Sequence, residues 1–253
     1  MKHNILYLVL VIFLSFAVNA QEIGFINEIG TPKLENVINN DITDVPIVIG
    51  KTYSIGTNNY NVSTSTNDSI IMKFACDTAF KYNGKTSVNI DGYEQTTTES
   101  EYLQETIYSE YNCNVSLLSG EVEVINNATV DDTNNFYLNT KMACIIFGKG
   151  KFITKSSEKS STFIIIEGTA TVMDNLSRKL YKLKEKDIVT VTPRPNLSGK
   201  ASELLVNKNV VTTSQLDNSD YGVLINEMVL FDKQQKRYIF IALNKTNILT
   251  KLK

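Results

Sequence analysis

The sequence predicts an all-β protein, an antiparallel β-sandwich or β-roll with a C-terminal β-hairpin extension and at most one short helix. Short runs rich in β-branched and aromatic residues recur along the chain, as they do in half-buried strands. Clusters of Gly, Asn, Asp, Ser and Lys separate these runs, most regularly between Thr140 and Pro193. Such clusters favour turns, and the same region holds few residues able to make or break covalent bonds.

Residues 1–20 are predicted to be a secretory signal peptide. Lys2 precedes an apolar run that begins at Ile5, and Val18 and Ala20 place small residues before a cut. The run is short for a spanning helix, which needs about 20 apolar residues; an uncleaved membrane anchor is the alternative. We therefore expect an exported protein, periplasmic or extracellular, with no stable membrane span after cleavage.

Composition restricts the chemistry of the mature chain. The only histidine, His3, lies in the predicted signal peptide, so a Ser-His-Asp triad, a Cys-His pair and a histidine-bound zinc site are excluded after cleavage. The net charge of −2 implies no general attraction to nucleic acid or anionic membranes. We predict a protein that is not an enzyme, with no catalytic, cofactor-binding or metal-binding residues. A hydrolase that uses carboxylates alone is the remaining enzymatic alternative.

The three cysteines, Cys76, Cys113 and Cys144, lie in or beside apolar strand-like runs. In an oxidising compartment one pair could form a disulfide, with three pairings open and one thiol left over. The pattern favours small buried apolar residues instead.

The predicted domain organisation is a signal peptide, an N-terminal segment, a β domain and a C-terminal β extension. Their ranges are 1–20, 21–47, 48–195 and 196–253. In the last part, the apolar runs Tyr221–Leu230 and Arg237–Leu243 flank a polar turn at Asp232–Lys236. Two such runs around a polar turn predict a β-hairpin.

Within the β domain, apolar side chains alternate through Ile70–Cys76, which predicts a strand with one buried face. The pair Asn83-Gly84 is typical of a two-residue hairpin turn. In Thr97–Tyr111, Thr98 and Glu101 have the spacing of a helix capping box. The abundance of Tyr and Thr in that segment equally fits an edge strand.

Two segments, Val115–Ile125 and Phe163–Met173, read as a weak internal repeat. Each places an apolar strand before a glycine, Gly120 or Gly168, and an alternating strand after it. A glycine at such a place predicts a bulge or tight bend where a Cβ atom would clash.

Two short motifs resemble ligand-binding loops. Gly148–Lys151 lacks the spacing and the following helix of a phosphate-binding loop, so it is predicted to be a hairpin turn. Asp217–Gly222 suggests calcium, but its second Asp is one place off the required alternation. A polar loop is the prediction there, and Asp131 and Asp132 are expected to be solvated.

Positive side chains are concentrated in the centre of the chain. They are Lys149, Lys151, Lys155, Lys159, Arg178, Lys179, Lys182, Lys184 and Lys186. If the strand register places them on one face, they could meet an anionic partner such as a surface glycan or an acidic protein. The favoured interpretation is that they solvate the outer face of the sheet and protect its edges.

The segment from about Lys51 to Thr192 resembles the FecR family of bacterial cell-envelope proteins. The residues that carry the resemblance are Thr140, Gly148, Gly150, Lys151 to Ile153, Ser161 to Ile166, Glu167-Gly168, Thr169 to Val172, Leu183, Lys186, Asp187 and Ile188 to Val191. The family pattern runs G-x-F-x-V, V-x-V-x-x-G-x-V-x-V and L-x-x-G-x-x-x-x-V. Asp187 stands where a glycine is usual, and the typical Arg-Gly-Thr near the middle glycine is absent.

The resemblance implies an all-β envelope domain without catalytic activity. In regulators of this family the domain relays occupancy of an outer-membrane receptor to a sigma factor, through a membrane-spanning helix and a cytoplasmic anti-sigma segment. The sequence shows neither, so we expect a stand-alone exported form.

We therefore predict a binding or sensing module whose exposed sheet edges accept an incoming strand. Its expected partner is an envelope protein, an outer-membrane receptor or a surface polymer, and its oligomeric state is left open. The alternative is a secreted structural or adhesive β protein of a surface assembly.

Overall fold

The structure is a computed structural model that describes residues 22–55, 59–99, 106–127, 135–194, 209–243 and 246–252. Most of these residues lie in strands, which confirms the all-β class. The predicted signal peptide lies outside the described residues.

The elements, in chain order, are β1 (Glu22–Ile29), β2 (Lys33–Ile38), β3 (Asp41–Val45), β4 (Thr52–Ser54), β5 (Asn59–Thr64), β6 (Ser69–Phe74), β7 (Thr78–Glu99), β8 (Thr106–Asn126), β9 (Asn135–Asn139), β10 (Ala143–Ser156), β11 (Ser161–Asp174), β12 (Leu180–Lys184), β13 (Asp187–Thr192), β14 (Val210–Gln215), α1 (Asn218–Gln235), β15 (Tyr238–Leu243) and β16 (Thr246–Lys251).

Fourteen strands form one sheet in the order β14-β13-β11-β10-β9-β8-β7-β5-β2-β3. Beside this path, β12 pairs with β11, β6 pairs with β7 and β1, and β1 pairs with β4. The pairings of this sheet are antiparallel except the parallel pair of β8 and β9. The separate antiparallel pair of β15 and β16 forms a hairpin near the C-terminus.

The predicted hairpin turn at Asn83-Gly84 is wrong, because β7 continues through it as a bulge. The register with β8 shifts between Asn83 and Ser87, and Gly84 has φ +60°. The Thr86 hydroxyl donates to the Asn83 carbonyl at 2.8 Å and accepts from the Glu121 N–H at 3.1 Å. A left-handed glycine suits a bulge as well as a turn, and here the side-chain bonds of Thr86 complete the bulge.

The predicted turn at Gly148–Lys151 is also wrong. These residues lie inside β10, where the register with β11 shifts between Phe147 and Gly150. The turn that joins β10 to β11 lies further along the chain, where the Ser157 N–H bonds the Ser160 carbonyl at 2.9 Å. The glycines serve a bulge, since Gly150 directly faces Gly168 of β11.

The bends predicted at Gly120 and Gly168 are confirmed. Both have left-handed backbones, with φ +99° and +87°. A Cβ atom on Gly120 would lie 2.6 Å from the Lys85 carbonyl oxygen, closer than real Cβ contacts, so only glycine fits there without a shift.

For Thr97–Tyr111, the described residues follow the edge-strand interpretation and not the helix. β7 continues to Glu99 and β8 begins at Thr106, and the two strands pair through this stretch. Residues 100–105 lie outside the described ranges.

One face of the large sheet encloses the main core. Ile23 of β1 and Val191 of β13 belong to the same buried cluster, so the sheet curls around its own apolar face. Aromatic rings run through this core at centroid distances of 4.9 to 6.1 Å: Phe74, Phe80, Phe136, Phe147 and Phe152.

The opposite face carries a second, smaller core beneath α1. Isoleucines from neighbouring strands form it, among them Ile71, Ile125, Ile153 and Ile164. From the helix, Met228 and Phe231 pack onto them and are almost fully buried. The helix therefore covers apolar residues that would otherwise lie on an exposed sheet surface.

A buried lysine holds the end of the helix against the sheet. Lys73 Nζ lies 2.9 Å from each of three oxygens, Gln235 Oε1, the Tyr238 carbonyl and Asp77 Oδ1. Because a buried ammonium needs compensating acceptors, this contact ties β6 to the junction of α1 and β15.

The predicted strand at Tyr221–Leu230 is wrong, since these residues lie in α1. The Asp217 carboxylate accepts the Asp220 N–H at 2.8 Å, which caps the helix. Leu224, Met228 and Phe231 then recur at helical spacing toward the sheet. The predicted strand at Arg237–Leu243 is present as β15, but its partner is β16.

Candidate binding surface

Open strand edges of the large sheet lie at β3, β12 and β14, and also at the three-residue strand β4, which among the described strands pairs only with β1. In the described part of the chain, β3 pairs only with β2, β14 only with β13, and β12 only with β11. An open edge presents unpaired backbone N–H and C=O groups, which a further strand can complete. Exposed sheet edges are the contact surfaces predicted from the sequence.

The edge of β12 is open because β14 covers only the neighbouring strand. β12 and β13 follow one another along β11, which pairs with β12 through Thr169–Met173 and with β13 through Ser161–Ile164. β14 lies outside β13 alone. Where β14 ends, an open groove of about 430 Å³ begins, lined by Tyr181, Lys182, Leu183, Asp187 and residues 213–215.

Asp187 closes the junction between β12 and β13. Its Oδ2 accepts the Lys184 N–H at 2.9 Å, and its Oδ1 accepts Gln215 Nε2 at 3.1 Å. The preceding residue, Lys186, has φ +69° and so takes the left-handed position of the turn. The Asp187 carboxylate thus binds the outer edge of β12 and the end of β14.

Within the predicted positive cluster, the structure pairs some lysines with carboxylates and leaves others unpaired. On β10, Lys151 pairs with Glu167 at 2.6 Å and Lys155 with Glu121 at 2.7 Å. On β12, Lys182 and Lys184 are exposed, and neither has an ion pair with a described residue. These two lysines therefore place uncompensated positive charge at the open edge, and Lys149 of β10 is also exposed without an ion pair to a described residue.

Neighbouring side chains support this edge. Lys186 Nζ lies 4.5 Å from the ring centroid of Tyr221, and Lys179 Nζ lies 5.0 Å from that of Tyr181. The Tyr221 hydroxyl donates to Glu185 at 2.6 Å. This bond to a carboxylate raises the pKa of Tyr221 to about 12, so the phenol keeps its proton and continues to donate.

Asp174 organises the turn that leads into β12. Asp174 is 1% exposed, and its carboxylate accepts the Ser177 N–H at 3.0 Å and Asn209 Nδ2 at 2.6 Å. It also accepts the Ser177 hydroxyl. Burial acts to raise the pKa of Asp174, but the bonds from Ser177, Asn209 and the Leu176 N–H outweigh it, so the pKa lies below its ordinary value of 3.8.

We expect Asp174→Asn to destabilise the protein by about 1.5–3 kcal/mol at pH 7, because it removes bonds to a charged acceptor. A folded-state pKa below the unfolded value means that this contribution is complete above about pH 5 and fades as the pH falls through the folded pKa. The difference between the variant and the wild type should therefore shrink toward pH 2 in urea unfolding.

The matched control is Glu158→Gln. Glu158 pairs with Lys141 but its side chain is 87% exposed, so solvent screens the pair and its removal should leave stability almost unchanged. An Asp174→Asn deficit of the same size at pH 7 and pH 2 would contradict the assigned role of the carboxylate.

Two of the three cysteines, Cys113 and Cys144, are buried. Cys113 lies in the main core and Cys144 beside it. Burial raises the pKa of Cys144 to about 11 and that of Cys113 well above its ordinary value. Because the thiolate is the reactive form, both are unreactive, and the prediction of small buried apolar residues is confirmed for them. Cys76 is half-buried.

The remaining candidates do not form a second site. Asp217 caps α1, so the predicted polar loop at 217–222 is the beginning of a helix. Asp131 and Asp132 lie outside the described residues. Within the described ranges, no three His, Cys, Asp or Glu side chains converge as metal ligands would. A shallow concavity of about 220 Å³ on the far half of the sheet is lined mainly by amides, including Asn59, Asn61 and Asn89.

Comparison with known proteins gives limited matches. No family model matches the chain, and no curated protein matches it. Two crystal structures of Parabacteroides distasonis proteins described as a "putative anti-sigma factor" are similar, each at 11% sequence identity. One covers 77% of this chain and 100% of its own, with a TM-score of 0.43. The other covers 76% and 99%, with a TM-score of 0.39.

Proposed function

We propose that this chain is an exported, non-enzymatic binding module of the bacterial cell envelope, FecR-like in its central domain, that recognises a protein partner along an open sheet edge. The observation that carries the proposal is the uncovered edge of β12, with the exposed Lys182 and Lys184 beside it. Backbone groups at an edge supply affinity and flanking side chains supply selectivity.

The strands that carry the family resemblance also form this surface. Gly150 and Gly168 face each other in the bulge of β10 and β11, and Leu183 and Asp187 lie in the groove. The absence of histidine from residues 21–253 supports the non-enzymatic part of the proposal. In the described residues no helix is long and apolar enough to cross a membrane.

A second candidate is a structural β protein that assembles with copies of itself. It is favoured by the charges on opposite ends of the sheet, since β3 exposes Asp41 and Asp44 while β12 exposes lysines. Edges of opposite charge could join head to tail, and such heterologous contacts build open assemblies.

Photo-crosslinking in a bacterial envelope tests the proposal. A photoreactive residue at Lys182 should crosslink one envelope protein stoichiometrically, while the same residue at the exposed Ser157 should not. Crosslinks to the chain itself alone would favour the structural candidate. Turnover of polysaccharide by the purified protein, lost on replacing one carboxylate, would refute the non-enzymatic assignment.

A further inference from the structure

We infer that the outer edge of β12 binds an acidic, extended segment of a partner protein, which adds to the sheet as a strand. The inference rests on the proposed function and deepens it by naming the edge and the chemistry of the partner.

The directions of the backbone N–H and C=O groups of β12 show which of them could bond an added strand. The Lys179 carbonyl accepts the Asp174 N–H at 3.0 Å, so this residue faces β11. Because the direction of the backbone N–H and C=O groups alternates along a strand, those of Leu180, Lys182 and Lys184 point away from β11. The Lys184 N–H confirms the alternation, since it bonds the Asp187 carboxylate at 2.9 Å. The groups of Leu180 and Lys182 have no strand partner in the described chain.

The charge of this edge selects an acidic partner. Residues 178–187 contain five positive side chains, Arg178, Lys179, Lys182, Lys184 and Lys186, and two negative ones, Glu185 and Asp187. The local net charge is therefore +3, although that of the whole chain is −2. A carboxylate already binds this edge, namely that of Asp187.

The side chains of β12 also set the pattern of the partner. Lys182 and Lys184 are exposed, whereas the intervening Leu183 is 5% exposed. An added strand alternates in the same way. Carboxylates at alternate positions would lie beside the two lysines, where opposite charges across strands attract. Apolar residues between them would face the groove near Tyr181 and Leu183.

The edges of β3 and β14 fit such a partner less well, and β4 offers only three residues for pairing. β14 presents Val, Thr, Ser and Gln without charge. β3 exposes Asp41 and Asp44, which would repel carboxylates. We therefore expect an acidic strand to bind the edge of β12.

The test uses the purified chain and a fluorescent peptide of alternating Glu and Val flanked by Gly-Ser, followed by fluorescence anisotropy. We expect the double variant Lys182→Glu/Lys184→Glu to bind at least about tenfold more weakly, as the loss of two cross-strand pairs predicts. Lys182→Gln/Lys184→Gln should show an intermediate loss, and circular dichroism verifies the fold of both. The matched control is Lys159→Glu, an exposed turn lysine, which should bind like the wild type.

Backbone and charge controls separate strand addition from general attraction. A peptide methylated on the backbone nitrogens of one edge should lose binding, and a Lys-Val peptide should not bind. No binding of the Glu-Val peptide, equal binding by the charge-reversed variant, or equal binding of the methylated peptide would overturn the inference. Self-association that competes with the peptide would identify a second copy as the occupant and also overturn it. If the peptide tests fail while a photoreactive residue at position 182 still crosslinks an envelope protein, the inference is overturned and the proposed function stands.

Discussion

Replacing Gly168 by valine should cost the domain at least about 3 kcal/mol, a large part of the 5–15 kcal/mol that holds a typical domain together. Gly168 has φ +87°, where a β-branched residue is strained. A Cβ atom there would lie 2.0 Å from the Lys149 carbonyl oxygen and 3.0 Å from the Gly150 Cα. Both obstacles are backbone atoms of the paired strand, so relief requires β10 and β11 to separate at their bulge.

Two other glycines provide matched controls in urea unfolding. Gly50 has φ +82°, and no described atom lies within 4 Å of the place that a Cβ atom would take, so Gly50→Ala should show only the conformational cost, about 1–2 kcal/mol. Gly92 has neither a left-handed backbone nor a close neighbour among the described residues, and Gly92→Ala should be nearly neutral. If Gly168→Val matched Gly50→Ala, the close approach of the two strands would be disproved.

Phe231→Ala should destabilise the protein by about 3–5 kcal/mol, the usual cost of removing a buried aromatic ring. Phe231 is 1% exposed and lies in the second, smaller core with Ile153 and Ile164. Its ring centroid is 6.0 Å from Lys81 Nζ, and Lys81 pairs with the buried Glu123 at 2.8 Å. Loss of the ring leaves a cavity and admits water to this ion pair.

Hydrogen exchange distinguishes local from global effects of Phe231→Ala. The amides of α1 should lose protection before those of β10 and β11, because the helix packs on the sheet through few side chains. Val223→Ala, on the same helix but 57% exposed, should change stability by less than about 0.5 kcal/mol. Equal protection of α1 in the Phe231→Ala variant and the wild type would contradict its anchoring role.

Strands whose pattern is local could be predicted from the sequence, and features that depend on distant pairing could not. Ile70–Phe74 forms β6, as predicted, but both faces of the strand are buried instead of one, because α1 covers the face that carries Ile71 and Lys73. Gly84 and Gly150 have positive φ values, which a hairpin and a bulge use equally. The choice depended on partners far along the chain, such as Thr86 with Glu121 and Gly150 with Gly168.

The C-terminal helix shows a second limit of the sequence. The run from Tyr221 to Leu230 is apolar on several sides, since Val223 and Leu230 are exposed while Met228 is buried. Such a run has no single clear period. An aspartate such as Asp217 is common both as a helix cap and in a polar loop. The helix forms because it packs on isoleucines of strands that lie far away in the sequence.

For the candidate site, the positive cluster could be predicted from the sequence, but which of its lysines remain unpaired could be seen only in the structure. Lys151 and Lys155 are compensated by Glu167 and Glu121 across strands, which depends on register. Lys182 and Lys184 have no such partner among described residues. The contacts of Asp187 with Lys184 and Gln215 could not be predicted from the sequence, because they depend on how β12, β13 and β14 lie together in the fold.

The position of α1 after the last strand of the large sheet has a consequence for biosynthesis. The main core can form once β14 has been synthesised. Ile71, Ile125 and Ile153, however, remain exposed to water until α1 has been synthesised and packs on them. A nascent chain that stalls before Asp217, or one clipped there by a protease, would display an apolar stripe on an otherwise finished sheet. Such species should be the ones that chaperones hold or that aggregate.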